Sequence, residues 1–142
     1  MELEKALEIA CKAHKGQKDK AGESYILHPI NVMLKLKDKH ERVVALLHDV
    51  LEDTNYQIED LVREGLDEEE QEALLLLTKP CGMEYMDYIK NINSNKIAKA
   101  VKMADLTHNM DINRLPTRQY KRWFERNLLP KYQKAYEYLR NN

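Results

Sequence analysis

The sequence predicts an all-α protein, and three observations carry that prediction. Apolar residues recur at helical spacing through most of the chain, and no segment shows the sustained alternation of a strand. The four glycines and four prolines fall at breaks between the helical runs. The architecture expected is a compact bundle of roughly seven to nine helices. The chain has 142 residues, enough to bury a core, and residues 1–142 are expected to form one domain.

Leu3, Ala6, Leu7, Ala10, Cys11 and His14 form a helical stripe over residues 2–15 that stops at Gly16. A polar loop, Gln17 to Ser24, follows. Tyr25-Ile26-Leu27-His28-Pro29 opens a second helix whose first turn suits Pro29; Ile30, Val32, Met33, Leu34 and Leu36 give it an apolar side as far as about Lys37. Residues 41–53 are hydrophobic almost all round, which predicts a buried central helix containing His48 and Asp49 and ending at Thr54-Asn55. Short helices are expected at 57–64, 67–78 and 83–92, and a longer one at about 95–112.

After Pro116 the residues Trp123, Phe124, Leu128, Leu129, Tyr132, Ala135, Tyr136 and Leu139 repeat at helical spacing, with a kink or break at Pro130. The stripe bearing Trp123, Tyr132 and Tyr136 reads as core rather than as a ligand platform. Two roles stand open for residues 116–142, closing a pocket or forming a homo-oligomer contact. Arg114, Arg118 and Arg122 read as a solvated helix face, with a phosphate contact as the alternative.

Composition narrows the function. Lys plus Arg number 23 against 24 Asp plus Glu, so no global field points to nucleic acid or a membrane as partner. A mean hydropathy of -0.70 suits a well-solvated helical surface. The first residues are charged and nothing resembles a signal peptide; no apolar run approaches the roughly 20 residues that span a bilayer. The expectation is a cytoplasmic protein. Cys11 and Cys81 lie in no metal-type spacing and are expected to be ordinary packing residues.

The chemistry concentrates in His48-Asp49-Val50-Leu51-Glu52-Asp53. A buried helix does not readily hold four such side chains within six residues, because an unpaired buried charge is costly. Imidazole and carboxylate are suitable ligands for a divalent metal, which would neutralise them. His48 and Glu52 are four apart, as are Asp49 and Asp53, so they share one side of a helix. The first pair can hold an ion while the second reaches the water or substrate beside it, as metal-assisted hydrolysis requires. His28 and Asp105, each on an otherwise apolar helix, are further candidates. Taken singly, each has a plain alternative as a core histidine or a solvated helix end.

The same residues resemble a known family. His48-Asp49 with Glu52-Asp53 reads as the HDxxED signature of the RelA/SpoT-type hydrolase domain, a branch of the HD phosphohydrolase superfamily. Four further stretches agree in order and spacing: Ala13-His14-Lys15-Gly16-Gln17; Gly22 with Tyr25-Ile26-Leu27-His28-Pro29; Leu77-Thr78-Lys79; and Lys102-Met103-Ala104-Asp105 with His108-Asn109-Met110. The resemblance implies an HD-domain helical bundle in which His28, His48, Asp49 and Asp105 hold one divalent ion, usually Mn2+. Glu52 and Asp53 match the catalytic acidic pair that positions or activates water, and Lys20, Lys79 and Asn109 match substrate contacts. The implied reaction removes the 3′-pyrophosphate of the guanosine alarmones ppGpp and pppGpp, making the partner a small nucleotide. With no synthetase, TGS or ACT region, the chain looks like a stand-alone small alarmone hydrolase.

Two positions depart from that pattern. Asp19 stands where many members carry an arginine able to stack on a purine, and Asp111-Ile112 follows His108-Asn109-Met110 where Arg-Thr is common. The reaction type is therefore better specified than the base. The alternatives are an adenine alarmone, NADPH or a nucleoside phosphate as substrate, or a non-catalytic alarmone-binding regulator.

Overall fold

A computed structural model describes residues 1–142. The chain forms helices α1 (Leu3–Ala13), α2 (Leu27–Leu34), α3 (Lys39–Leu47), α4 (Val50–Asp53), α5 (Ile58–Arg63), α6 (Glu68–Leu77), α7 (Tyr85–Asn93), α8 (Lys96–Asn109), α9 (Arg118–Asn127) and α10 (Leu129–Asn141). A 3-10 turn at Ile112–Arg114 precedes α9. The all-α prediction holds: the one β-type pairing is an isolated bridge between Lys18 and Ser24. Counting the four-residue α4 as a continuation of α3 gives nine helices, at the upper end of the expected range.

Helix α3 is the axis of the bundle because its sequence leaves it no polar face beyond the first turn. Asp38 caps it, accepting from the Glu41 amide at 3.0 Å. Val43, Val44, Ala45, Leu46 and Leu47 are all fully buried. Each of the larger side chains contributes about 1.5–3 kcal/mol by leaving water. Helices α1, α2, α6 and α8 pack around it, and α8 in turn carries α7 and α10. Twenty-five buried apolar residues form a single core cluster.

Five expectations are corrected. The central helix does not run unbroken to Asp53. It stops at Leu47, and His48-Asp49 form a turn before α4. Both turn residues keep dihedrals in the right-handed helical region (Asp49 at φ -99°, ψ -4°), so the chain bends with little loss of helical character. Helix α1 buries Ala6, Ile9 and Ala10 rather than Leu7 and Cys11. Cys11 and Cys81 are both exposed, so neither is a packing residue. Trp123 is 49% exposed, while its neighbour Phe124 is buried; the aromatic stripe is therefore not uniformly core. Pro130 lies in the first turn of α10, where its missing N–H costs nothing, and the break falls at Leu128. No helix is long and apolar enough to cross a membrane.

Candidate metal centre and active site

The bundle brings together four residues from three places in the chain. Helix α2 supplies His28, the α3–α4 turn supplies His48 and Asp49, and α8 supplies Asp105. His28 Nε2 lies 2.8 Å from Asp105 Oδ1 and 3.7 Å from Asp49 Oδ2. His48 Nε2 lies 3.2 Å from Asp105 Oδ1 and 3.1 Å from Asp49 Oδ2. One ligand atom from each of His28, His48 and Asp49 falls within 4.8 Å of the others. His28, His48 and Asp105 are buried and Asp49 nearly so. All four residues expected to hold metal therefore converge.

The outer partners of these groups set their chemistry. His48 Nδ1 donates to the Ala45 carbonyl at 2.6 Å. A neutral His48 then has its lone pair on Nε2, aimed at two carboxylates. Such an arrangement needs a cation between them or a proton on the ring. Burial works against charge on His48, yet Asp49 and Asp105 outweigh it and raise its pKa well above the ordinary histidine value. Burial likewise pushes Asp49 up, but the His48 charge prevails and its pKa falls to about 2. Tyr25 donates to Asp49 Oδ2 at 2.6 Å, fixing that carboxylate from the α2 side. Two imidazole nitrogens and two carboxylates, buried and converging, fit a divalent cation.

Asp105 has further partners on its own helix. Lys102 Nζ donates to Oδ2 at 2.9 Å and Asn109 Nδ2 to Oδ1 at 3.2 Å. Burial raises the cost of the Asp105 charge, but Lys102, His28 and His48 more than offset it and hold its pKa well below the usual carboxylate range. Asn109 is held in turn by Arg114, whose guanidinium donates to Asn109 Oδ1 at 3.3 Å and to the His108 carbonyl at 2.9 Å. His108 meets His28 edge to edge, with their Nδ1 atoms 2.7 Å apart and the ring centroids at 4.9 Å. Burial and the Arg114 charge lower the His108 pKa to about 4.

The acidic pair lies on α4, at the outer side of this cluster. Both residues are exposed. Glu52 Oε1 accepts from the Lys79 amide at 2.7 Å, which ties α4 to the end of α6. The Asp53 pKa is raised, by partial burial and by the neighbouring Asp49 and Glu52 charges.

A cavity of about 390 Å³ opens beside His28. Its wall includes Lys20 and Asn109, two of the three expected substrate contacts. Lys79 is not on it; that residue meets Glu52 through its backbone instead. Asp19 is on the wall, but its Oδ1 already accepts from the Ala21 and Glu23 amides at 2.9 and 3.0 Å. Its visible work is to hold the 17–25 loop. Arg114, for which a phosphate contact is the alternative reading, is on the wall, while sequence reasoning missed Tyr120, Phe124, Leu128 and Tyr132 as cavity residues. Their helical spacing signals only that they pack, and cannot separate core from cavity wall. Arg118 and Arg122 point elsewhere, to an open surface with Trp123 and Arg126.

No family model matches the chain. Curated relatives do. A guanosine-3′,5′-bis(diphosphate) 3′-pyrophosphohydrolase of Borreliella burgdorferi is 52% identical over 69 residues, covering 46% of this chain and 10% of that protein. A GTP pyrophosphokinase of Streptomyces coelicolor is 33% identical over 128 residues, covering 77% of this chain and 14% of the relative. A solved structure of a metazoan SpoT ortholog described as hydrolysing ppGpp superposes with a TM-score of 0.70 over 96% of this chain and 92% of the other, at 22% identity. The chain is a RelA/SpoT-type HD-domain protein. It spans only about a tenth to a seventh of the curated relatives' length (10% and 14%), and those relatives carry names for opposite reactions. The metazoan protein matches end to end and shares the fold of the HD-domain bundle.

Proposed function

We propose that the chain is a manganese-dependent hydrolase that removes the 3′-pyrophosphate from a guanosine alarmone, ppGpp or pppGpp, or from a related purine nucleotide. The observation that carries this reading is the convergence of His28, His48, Asp49 and Asp105 beside a cavity bearing Lys20 and Asn109. The names of the relatives from Borreliella burgdorferi and Aquifex aeolicus, both 3′-pyrophosphohydrolases, support the substrate class. Residues 1–142 act as one unit in this account, because the metal ligands come from α2, α3–α4 and α8 while α9 and α10 complete the cavity wall.

His28, His48, Asp49 and Asp105 are the residues that would hold the ion. When bound, such an ion lowers the pKa of water and offsets phosphate charge. The remaining work falls to the chain. Asp53, with its raised proton affinity, takes the proton from the attacking water, and Glu52 orients that water from the adjacent position. The water oxygen bonds to phosphorus as the bond to the nucleotide 3′-oxygen breaks, releasing pyrophosphate, and the leaving 3′-oxygen takes up a proton from solvent to become a free hydroxyl. Lys20 offsets anionic charge at the cavity mouth, and Asn109 meets the sugar or phosphate while holding Asp105.

A second reading keeps this site and changes the base, to an adenine alarmone, NADPH or another nucleoside phosphate. Asp111 supports it: the residue caps the 3-10 turn through the Asn113 amide at 3.0 Å and is not on the cavity wall, where the cations are Lys18, Lys20 and Arg114. A nucleotide panel assayed with Mn2+, reading released phosphate and pyrophosphate, separates the two. Tight binding of one panel member with no turnover would favour a non-catalytic binding protein instead.

A further inference from the structure

We infer that His108 is a positioning residue for the metal centre: it accepts a hydrogen bond from His28 Nδ1–H and so presents the Nε2 lone pair of His28 to the ion. This rests on the reading of His28 as a metal ligand.

The argument begins with the 2.7 Å separation between the two Nδ1 atoms. Two ring nitrogens at that distance share one proton, so one donates and the other accepts. The direction is coupled to the far side of His28. When His28 Nε2 carries a proton, it donates to Asp105 Oδ1 at 2.8 Å, and its Nδ1 is free to accept from His108. When His28 gives its Nε2 lone pair to a cation, its proton sits on Nδ1 and needs an acceptor. The only ring nitrogen within reach is His108 Nδ1. In that form His108 keeps its single proton on Nε2.

The two metal-site histidines then follow one rule by different means. His48 donates its Nδ1–H to a backbone carbonyl, that of Ala45, which can only accept. His28 has no such carbonyl partner and relies on a side chain 80 residues away. A carbonyl locks the tautomer permanently, whereas the histidine pair can run the bond in either direction. The rings meet edge to edge, with centroids 4.9 Å apart and planes inclined by only 28°, so each nitrogen lone pair or N–H points along the line to its partner. Arg114 anchors the end of α8 by donating to the His108 carbonyl at 2.9 Å. Partners of this kind typically change metal affinity about 10–100-fold when removed.

The test measures Mn2+ affinity by titration of the purified 142-residue chain, comparing wild type with His28→Ala, His108→Phe and His108→Gln. Phenylalanine keeps a planar aromatic ring at the position and removes the acceptor; glutamine restores an acceptor oxygen. Affinity is expected to fall about 10–100-fold in His108→Phe and to recover most of that in His108→Gln. Thermal unfolding in EDTA shows whether either variant has lost its fold. A second measurement needs no variant: long-range 1H–15N spectra of the wild type loaded with diamagnetic Zn2+ are expected to place a proton on His28 Nδ1 and none on His108 Nδ1. A proton on His108 Nδ1 overturns the inference, as does wild-type affinity in His108→Phe or equal loss in both variants. A wild type that binds no ion, or a His28→Ala protein that binds like wild type, overturns the metal-site reading as well.

Discussion

Lys102 Nζ stands 2.9 Å from Asp105 Oδ2, one turn away on α8, leaving Oδ1 of the same carboxylate to His28 and His48. The two oxygens of Asp105 thus have separate tasks. Burial opposes the Lys102 charge, but Asp105 and the phenol rings of Tyr88 and Tyr85 outweigh it and raise its pKa. Lys102→Met keeps the apolar stem and removes the charge. Breaking a buried pair from one side costs about 3–5 kcal/mol, and that loss is expected in urea unfolding with EDTA present. A loss near zero would show that the histidines alone suffice for Asp105.

The acidic pair and the ligands are expected to separate experimentally. Asp49→Ala loses metal binding and activity together, since its carboxylate faces both His48 and His28. Glu52→Gln keeps an acceptor oxygen for the Lys79 amide, so the junction of α4 and α6 is retained. It is expected to bind metal like wild type while turnover falls about 10²–10⁴-fold. Metal retained in Asp49→Ala would remove Asp49 from the ligand set.

His40 gives a pH signature remote from this site. Its Nδ1 lies 3.0 Å from Glu70 Oε2 and 3.4 Å from Asp67 Oδ2. The hydrogen bond to Glu70 is the main cause of its raised pKa, aided by Asp67 and opposed by desolvation. A histidine whose folded pKa is raised adds stability that is full below about 6.5 and is lost as pH rises through the folded value. The stability difference between wild type and His40→Gln, measured in EDTA, should therefore shrink with rising pH. A difference that grows with pH contradicts the assignment.

Asp19 tests what reads the base. Asparagine at this position keeps the Oδ1 acceptor used by the Ala21 and Glu23 amides. Asp19→Asn is expected to leave the order of preference across a nucleotide panel unchanged. Tyr120→Ala and Phe124→Ala, which alter the cavity wall itself, are expected to raise KM. A reversal of base preference in Asp19→Asn would return that carboxylate to the recognition site.

Much of this arrangement is legible in the sequence. Helix positions followed from apolar spacing, and the histidines and carboxylates stood out because buried helices rarely tolerate them. The break at His48-Asp49 did not show, because apolar residues continue on both sides and the turn stays near helical dihedrals. The contact between His28 and His108 joins positions 80 apart, and no local pattern encodes it. Trp123 and Phe124 illustrate the limit of periodicity: adjacent aromatic residues on α9, one 49% exposed and the other 4%.

The central claim is metal-dependent removal of a 3′-pyrophosphate. Its most direct test is incubation of the purified protein with ppGpp, with Mn2+ and with EDTA, resolving the products by chromatography and running Asp49→Ala alongside. The account predicts GDP and pyrophosphate in equal amounts with Mn2+ only, and none from Asp49→Ala. Turnover that persists in EDTA or in Asp49→Ala, or no 3′-pyrophosphate released from ppGpp, pppGpp or any related purine nucleotide, would contradict it.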